Sequence, residues 1–445
     1  MSLFSYPKYI DSGIPWVGSV PAHWEILPLI GVARERRESN IGMQEDNLLS
    51  LSYGRIVRKD IDSNDGLLPE SFETYQVVRA GDIVMRLTDL QNDKRSLRSA
   101  LVQERGIITS AYLALQPTAV GSRFLAYVLR AYDLTKAFYS MGGGLRQSLK
   151  FSDVKRMPVA IPPGPEQFNI VAFLDDETAK IDALIAKQKK LVTLLAEKRA
   201  ATISHAVTWG LEPSVQMKDS GVAWLGDIPA HWDVTRLKYA AEKIVDCPHE
   251  TPVYDEEGTY RVIRTADVKE GRLLTGAMFC VSEEEYLSRV RRLTLAQNDI
   301  VYGREGERWG HAAQVPVDGE FCLGQRMMQF RAADTTHPRY LMWQLNSLST
   351  YRQGQVDTVG ATSPHVNVGT IRNYVLANPP LGEQIEISEF LDAETSKLDA
   401  LDAEAERAIS LLRERCNALV AAAISGRIDV RGALPQSDQI AEVAA

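Results

Sequence analysis

Long apolar runs are lacking from this chain of 445 residues. The run LVAAAI at 419–424 is far shorter than the roughly 18 residues that a membrane-spanning helix needs. The N-terminal segment has no basic stretch followed by an apolar one, so we expect no secretion signal and a location in the cytoplasm. The 45% of hydrophobic and 24% of charged residues are typical of globular proteins and exclude a disordered chain.

Cysteine is scarce. The four cysteines stand at positions 247, 280, 322 and 416, and no two of them form a CxxC pair. Their spacing matches no zinc-binding pattern. We therefore expect buried, reduced thiols and no metal site.

Familiar catalytic motifs are also lacking: no GxxxxGK[ST], HExxH or GxSxG string occurs. One string is ambiguous. NPPL at 378–381 resembles the Asn-Pro-Pro-aromatic motif of adenine methyltransferases, but Leu381 stands where a base would stack on an aromatic ring. A double-proline entry into a helix is the favoured interpretation, and a methyltransferase that uses Asn378 stays as the alternative.

Net positive charge is lacking, since the formal net charge is −8. The acid is unevenly distributed: residues 25–160 hold 19 Lys and Arg against 16 Asp and Glu, whereas residues 379–445 hold 6 against 13. A polyanion responds to the local field at the contact face rather than to the global sum. The first of these segments therefore remains compatible with a polyanionic partner.

The chain does contain an internal duplication. DSGIPWVGSVPAHW at 11–24 returns as DSGVAWLGDIPAHW at 219–232, with nine of fourteen positions identical. Both copies carry His-Trp, as His23-Trp24 and His231-Trp232. We call this repeated segment the signature, and we expect its histidines to pack within it rather than to act in catalysis.

A second pair of segments repeats 217 residues apart. PPGPEQFNIVAFLDDETAKIDAL at 162–184 returns as PPLGEQIEISEFLDAETSKLDAL at 379–401, with fourteen of twenty-three positions identical. The residues between the repeated segments share a hydrophobic pattern but few polar side chains. This combination predicts two divergent mixed α/β modules, at 25–160 and 233–378, on one repeated frame.

Each copy of this second repeated segment predicts a long helix, because a run of about 43 residues without Gly or Pro begins three residues after each double proline, at 166 and 383. A helix of that length needs a partner alongside it. The heptad pattern predicts two seams per helix, and the simplest geometry pairs the two helices antiparallel. The seam positions are Leu174, Ile181, Gln188, Leu195, Thr202 and Ile170, Glu177, Leu184, Leu191, Lys198 in the first helix, and Leu391, Leu398, Ala405, Leu412, Leu419 and Ile387, Glu394, Leu401, Ala408, Arg415 in the second.

Polar and basic loops in the two modules are the candidate contact surfaces, because Arg and Lys bind phosphates or guanine, and Asn and Gln pair with adenine. In the first module the candidates are Tyr53, Arg55, Arg58, Lys59, Asn92, Lys94, Arg95, Arg98, Arg146, Gln147 and Ser148. In the second module they are Arg264, Thr265, Arg304, Arg308, Trp309, His311, Gln325, Arg326, Ser363, His365 and Asn367.

The chain resembles the specificity subunits of type I restriction–modification systems. The resemblance rests on the signature at 11–24 and its copy at 219–232, and on the PPxxEQ entries at 162–167 and 379–384. It implies a mixed α/β fold with two target recognition domains in pseudo-twofold tandem repeat, separated by two long antiparallel helices that form a coiled coil. The implied segments are 1–161 (signature and first recognition domain), 162–218 (first long helix), 219–378 (second signature and recognition domain), 379–430 (second long helix) and 431–445 (tail).

The resemblance also implies a function. Such a subunit has no catalytic site of its own and reads a bipartite double-stranded DNA target, one recognition domain per half-site, with the helix pair setting the spacer. The implied partners are methylation subunits, two by analogy, and restriction subunits. S-adenosylmethionine, ATP and magnesium are expected on those partners and no cofactor on this chain. A structural coiled-coil adaptor that binds no DNA is the third hypothesis.

Overall fold

The computed structural model describes residues 5–61, 69, 71–90, 97–141, 148–306, 308–358 and 364–433. The chain forms two compact units. Unit 1 comprises Met1–Gln188 and Arg407–Ala445, and unit 2 comprises Lys189–Glu406. Among the described residues, no helix combines the length and hydrophobicity that a membrane span requires.

Over its described residues, unit 1 combines short strands with three helices of its own. The strands are β1 (Tyr9–Ile14), β2 (Gly18–Pro21), β3 (Glu25–Pro28), β4 (Ala33–Glu35), β5 (Leu49–Ser52), β6 (Arg55–Arg58), β7 (Gln76–Val78), β8 (Ile83–Met85), β9 (Ser99–Leu101), β10 (Gly106–Ile108), β11 (Leu113–Pro117) and β12 (Pro158–Ile161). The helices are α1 (Leu29–Val32), α2 (Ser122–Leu134) and α3 (Phe151–Val154), with a 3₁₀ turn at Ala137–Ser140. The long helix α4 (Gly164–Trp209) begins in this unit.

Unit 2 also combines short strands with helices. Its strands are β13 (Met217–Asp219), β14 (Asp227–Pro229), β15 (Asp233–Arg236), β16 (Ala241–Asp246), β17 (Tyr260–Ile263), β18 (Val268–Lys269), β19 (Arg272–Leu273), β20 (Phe279–Val281), β21 (Ile300–Gly303), β22 (Ala312–Gln314), β23 (Phe321–Leu323), β24 (Met327–Ala332) and β25 (Val375–Asn378). Its helices are α5 (Leu237–Ala240), α6 (Glu283–Arg289), α7 (Pro338–Leu345), α8 (Leu348–Val356) and α9 (Val368–Arg372), with 3₁₀ turns at Thr265–Asp267 and Thr275–Ala277. The long helix α10 (Leu381–Ile424) begins here. The predicted mixed α/β character of both halves is confirmed.

The two long helices have 46 and 44 residues, close to the predicted length. Each ends at a glycine with positive φ, Gly210 at +75° after α4 and Gly426 at +68° after α10. A left-handed residue past the last turn is a common helix terminator, and glycine adopts it without steric cost. A side chain at Gly426 would also strike Pro21, and one at Gly210 would press on Trp232.

The long helices lie antiparallel within each unit. In unit 2, Arg199 of α4 donates from Nη1 to the Asp399 carboxylate of α10 at 2.7 Å. Val207, later in α4, shares a core with Ile387, which comes earlier in α10. In unit 1 the first turns of α4 share a core with the last turns of α10, through Leu174 and Val420.

One of the two predicted helix seams needs correction. The seam that contains Leu174 and Leu391 is buried or half-buried along its length, as predicted. The other predicted seam is wrong along most of its length, since Leu184, Leu191 and Leu401 are 46%, 41% and 53% exposed. The second buried seam is shifted by one residue, to positions such as Arg199, Thr395, Ile409 and Cys416. Leucines at heptad spacing occur both in buried seams and on exposed helix surfaces, and one sequence does not distinguish the two.

The signature hairpin and the largest sheet correspond between the two units. Each unit has a signature hairpin, β1–β2 or β13–β14, and a four-stranded sheet, in the order β4-β11-β8-β9 or β16-β24-β21-β22. The sequence GDIV at 81–84 returns as NDIV at 298–301, and these segments lead into β8 and β21, which occupy the same sheet position. The duplication therefore extends through parts of the modules whose sequences share little more than a hydrophobic pattern.

A two-stranded neck closes each module. The strand that follows the first His-Trp, β3, pairs antiparallel with β12, which precedes the double proline, so that Glu25 lies opposite Ile161. In unit 2, β15 pairs with β25, and Asp233 lies opposite Asn378. All residues between these strands form an insertion whose two ends meet at the neck.

Candidate nucleic-acid interface

The two repeated motifs meet around one carboxylate in unit 1. Glu166, at the start of α4, accepts hydrogen bonds from the Trp24 indole at 2.9 Å and from the Tyr6 hydroxyl. His23 Nε2 lies 2.7 Å from the other carboxylate oxygen. Glu166 and Trp24 are only 5% and 4% exposed, so these bonds lie in a largely dry site where an unpaired polar group is costly. The signature is thereby fastened to the base of the long helix.

Unit 2 repeats the arrangement with its own copies. Glu383 accepts from the Trp232 indole at 2.9 Å, and His231 Nε2 lies 2.7 Å from the same carboxylate group. The predicted packing role of the two histidines agrees with these contacts. The site in unit 2 is more open, since the Glu383 side chain is 36% exposed, against 6% for Glu166.

The glutamine of each PPxxEQ segment forms a second pair of repeated contacts, with two backbone groups. Gln167 donates to the carbonyl of Pro162 at 2.9 Å and accepts from the N–H of Gly121, which precedes α2. Gln384 donates to the carbonyl of Pro379 at 2.9 Å and accepts from the N–H of His337, which precedes α7. Each repeated Glu-Gln pair therefore ties the long helix to the signature and to the start of one helix of the module, which we call the module helix (α2 in unit 1 and α7 in unit 2).

The most exposed candidates of the first module lie on the β5–β6 hairpin. Tyr53 at its tip is 79% exposed and has a φ of +46°, beside Gly54 with +78°. Two successive residues with positive φ form the tight hairpin turn that matches the twist of the strands. Arg55 and Arg58 follow on β6 with exposed side chains, and Lys59 continues the exposed run.

The charges of this hairpin are partly compensated within unit 1. Arg58 donates from Nε to the Glu104 carboxylate at 2.6 Å, and Arg55 pairs with Asp182 of α4 at 2.9 Å. The Arg58 guanidinium lowers the pKa of Glu104. Surface pairs of this kind are worth little and exchange readily for other anions. The hairpin therefore presents an aromatic ring and cations that a phosphate could recruit.

Arg98 serves the module's interior. Its side chain is fully buried, its backbone N–H donates to Asp133 at 2.7 Å, and its guanidinium donates to the carbonyls of Thr88 at 2.6 Å and Asp89 at 3.1 Å. A side chain enclosed in this way cannot reach a base edge, so Arg98 leaves the candidate interface. Ser148 is exposed. Five further candidates of this module, Asn92, Lys94, Arg95, Arg146 and Gln147, lie outside the described residues.

In the second module, the structure brings four predicted loops together. The backbone of Arg304 bonds to that of Arg326 at 3.1 Å and to that of Val366 at 3.0 Å. A bridge joins Glu305 to His365. Gly324 donates to the carbonyl of Ile263, beside the Arg264 loop, at 2.8 Å. The loops around 264, 304, 325 and 365 therefore form one continuous surface, although about a hundred residues separate the first from the last.

Two candidates in this cluster are buried. Arg304 is 8% exposed and bonds to Asp246 at 3.1 Å and to His249 at 3.3 Å. Trp309 is 6% exposed and stacks on Tyr351, with ring centroids 4.4 Å apart. Both hold the loops in place rather than face solvent.

Other candidates of the second module are accessible to different degrees. Arg264 forms a two-pronged pair with Asp267 and lies 3.9 Å above the Phe279 ring. Gln325 accepts from the Thr251 hydroxyl at 2.6 Å, and Arg326 lies 3.7 Å from Glu305. Arg308 and Asn367 are exposed, whereas Thr265 and His365 are half-buried, and Ser363 lies outside the described residues.

His311 lines an open pocket of about 360 Å³ in unit 2, together with Arg308. Burial lowers the pKa of His311, and the nearby Glu270 carboxylate counteracts this only in part. The imidazole is therefore neutral at neutral pH. Lys269 and Arg272 of the β18–β19 hairpin line the same pocket and were missed by sequence reasoning, since the hairpin carries no turn motif that separates it from an ordinary loop.

Comparison with known proteins gives a consistent result. Residues 232–409 match the family model of the type I restriction modification DNA specificity domain. The specificity subunit of the type I restriction enzyme MjaVIII from Methanocaldococcus jannaschii is 21% identical over 337 residues, which cover 74% of this chain and 76% of the relative.

A solved structure shows the same fold. A chain described in work on complex assembly and conformational transition of the type I R-M system matches with a TM-score of 0.60 and 17% identity, over 91% of this chain and 98% of that chain. The HsdS subunit from Thermoanaerobacter tengcongensis matches with a TM-score of 0.47 and 17% identity, over 92% and 98%. The family match and the curated relative confirm the resemblance that the repeated motifs carry, and the first solved structure confirms the fold.

Proposed function

We propose that this chain, a specificity subunit of a type I restriction–modification system involved in DNA target recognition, reads a bipartite target with one module per half-site. The observation that carries the proposal is the pair of necks. In each half an unlike set of surface loops is inserted between two paired strands on a repeated frame. Such an insertion can diverge in its loops without disturbing the frame, which is what two independent readers require.

The long helices support the second part of the proposal, that they set the spacer between half-sites. Helices of 46 and 44 residues measure roughly 69 and 66 Å at about 1.5 Å per residue. One turn of B-DNA measures about 34–36 Å, so rods of this length are commensurate with one to two turns. Both helices contribute residues to both units.

Matching exposed apolar positions on the long helices support the docking of two copies of one partner. Leu184 and Leu401 are equivalent in the duplication and are 46% and 53% exposed, and the equivalent Leu194 and Leu411 are 49% and 57% exposed. Exposed apolar stripes on otherwise polar helices mark protein contacts. We assign these positions to two methylation subunits, with restriction subunits joining the assembly.

In this proposal the chemistry belongs to the partners. S-adenosylmethionine, ATP and magnesium bind to the methylation and restriction subunits, and the chain itself supplies recognition in the cytoplasm. Asn378 of the NPPL string ends β25, where its backbone pairs with that of Asp233 in the neck. This placement supports a structural role for the string rather than a base-flipping site.

Methylation mapping tests the proposal directly. Genomic DNA from cells with and without this gene should differ at a split sequence, with two defined half-sites around an unspecified spacer. A continuous target would contradict two-module reading. Incubation of the purified chain alone with labelled S-adenosylmethionine and DNA tests the enzyme alternative, because transfer without a partner would support a methyltransferase. Failure of the full assembly to bind DNA at low salt would favour the adaptor alternative.

A further inference from the structure

A carboxylate on the first long helix holds the module helix of unit 1 at two points. Asp175 of α4 accepts from the Arg123 guanidinium at 3.0 Å and from the Tyr127 hydroxyl at 2.9 Å. The two donors are four residues apart on α2, so they lie one above the other on one face of that helix. A single acceptor that binds two successive turns fixes both the position and the angle of α2 against α4.

Unit 2 contains the same arrangement. Asp392 of α10 accepts from Arg339 Nε at 2.8 Å and from the Trp343 indole at 3.0 Å, both on α7. Asp392 follows Asp175 by 217 residues, and both donors follow theirs by 216. A tyrosine hydroxyl and a tryptophan N–H are different donors on different packing surfaces, yet the contact geometry is kept. The repeated element is thus the contact itself.

A second carboxylate, one heptad later, ties a hairpin to the same helix in each unit. Asp182 pairs with Arg55 of β6 at 2.9 Å, and its equivalent Asp399 pairs with Arg272 of β19 at 3.0 Å. Residues seven apart lie on nearly the same face of a helix. Each module therefore contacts its long helix through two carboxylates on one face.

The first contact in each unit is partly shielded from water. The side chains of Asp175 and Asp392 are 28% and 37% exposed. Burial, followed by the Asp175 carboxylate, raises the pKa of Tyr127 to about 12, so its hydroxyl remains a donor at any physiological pH. Charge-assisted bonds with two donors on one acceptor impose direction as well as attraction. Apolar packing of α2 and α7 alone would permit small rotations that these bonds exclude.

We propose that Asp175 and Asp392 are positioning residues that set the angle of each recognition module on its long helix, and through it the spacer length that the two modules accept. This inference rests on the proposed bipartite reading. Neither residue needs to touch DNA. Loss of the contact should broaden the accepted spacer while leaving the bases read in each half-site unchanged.

The test uses the full chain assembled with its methylation subunits. Methylation rates are measured on duplexes whose spacer is one base pair shorter or longer than the preferred one, and on duplexes with the preferred spacer and one changed half-site base. The variant Asp175→Ala/Asp392→Ala should lose about three- to tenfold of its discrimination between spacers and keep its discrimination between bases within about twofold.

The matched control is Asp176→Ala/Glu404→Ala. It removes the same charges from exposed positions of the same helices, and the equivalent of Asp176 in the second copy is already Ala393. This control should keep the wild-type spacer profile. If the alanine variant does not assemble, Asp175→Asn/Asp392→Asn retains an oxygen for Tyr127 and Trp343, removes the ion pairs, and should broaden the spacer profile to a smaller degree.

The outcomes separate this inference from the proposal beneath it. Spacer profiles in the alanine or asparagine variants that match the wild-type profile would overturn the positioning role alone. A loss of base discrimination equal to the loss of spacer discrimination would also overturn it, because that pattern indicates general loosening of the modules. A wild-type assembly without any spacer preference would contradict the proposal that the long helices set the spacer, and it would contradict this inference as well.

Discussion

The Glu166 carboxylate accepts a hydrogen bond of 2.9 Å from the Trp24 indole, across 142 residues of sequence. The equivalent bond joins Glu383 to Trp232 at the same distance. The two segments that the chain repeats most faithfully are therefore the two sides of one contact. Their joint repetition has a physical cause, because a change on either side would leave a polar group unpaired.

Replacement of Glu166 by alanine should destabilise unit 1 by about 2–4 kcal/mol, since it leaves a buried indole N–H and the Tyr6 hydroxyl without their acceptor. Glu383→Ala should cost less, about 0.5–1.5 kcal/mol, because its site is partly open to water. Thermal and urea unfolding of the two variants provides the comparison. Equal effects, or a larger loss at Glu383, would contradict the burial argument.

Tyr53→Gly should separate stability from recognition. A tyrosine with positive φ is strained, so glycine should raise the stability of unit 1 by about 0.5–1 kcal/mol. The same change removes an exposed ring from the proposed interface and should weaken DNA binding to the first half-site. Unfolding and binding are measured on the same preparation. A variant that binds as tightly as the wild type would remove Tyr53 from the interface.

Arg308 and His311 line one pocket but should contribute differently to DNA binding. If Arg308 neutralises a phosphate, Arg308→Gln should reduce the dependence of log affinity on log salt concentration by about 0.9. His311→Gln should leave this slope unchanged at pH 7.5, because burial lowers the pKa of His311 and the imidazole is already neutral.

The same pKa shift has a consequence for stability. A histidine whose pKa is lower in the folded state contributes stability above its ordinary pKa of 6.5 and loses it on acidification, because the unfolded chain binds the proton more strongly. Unit 2 should therefore lose stability below about pH 6.5, and His311→Gln should reduce this loss. A salt slope that changes as much for His311→Gln as for Arg308→Gln would show a charged imidazole at the interface.

Exchange of a module at its neck should change one half-site only. The structure places the cuts at the inner ends of the paired strands, so residues 29–157, between β3 and β12, can be replaced by the corresponding insertion of a related subunit. The neck strands, the signature and the long helices then stay as they are. Methylation mapping should show a new first half-site beside the original second one, and a change in both would contradict independent reading.

The repeated frame could be predicted from sequence because it is written twice. The two long helices follow from the segments repeated 217 residues apart and their lack of Gly and Pro, and GDIV and NDIV keep the same register. The antiparallel pairing follows from the need of each long helix for a partner. The duplication also contains a sequence signal for a contact, since the ion-paired residues Arg123 and Asp175 return together as Arg339 and Asp392. Two residues of opposite charge that both repeat, at offsets of 216 and 217, indicate that they contact each other in each copy.

Loop residues were harder to predict, because burial depends on neighbours that are remote in sequence. Arg98, Arg304 and Trp309 are the residue types that a DNA-binding surface favours, yet each is enclosed by its own module. Arg98 binds backbone carbonyls and Arg304 binds Asp246, so both satisfy buried polar groups instead of solvent. A single sequence offers no test that separates these arginines from exposed ones such as Arg308.

The most direct measurement of the central claim is the spacer length preferred by a chain shortened by one heptad in each long helix, within 184–198 and 401–415. Seven residues correspond to about 10 Å of helix, or roughly three base pairs of B-DNA. Methylation mapping of the shortened subunit should show the same two half-sites separated by a spacer about three base pairs shorter. The original spacer, retained together with full methylation activity, would contradict the ruler.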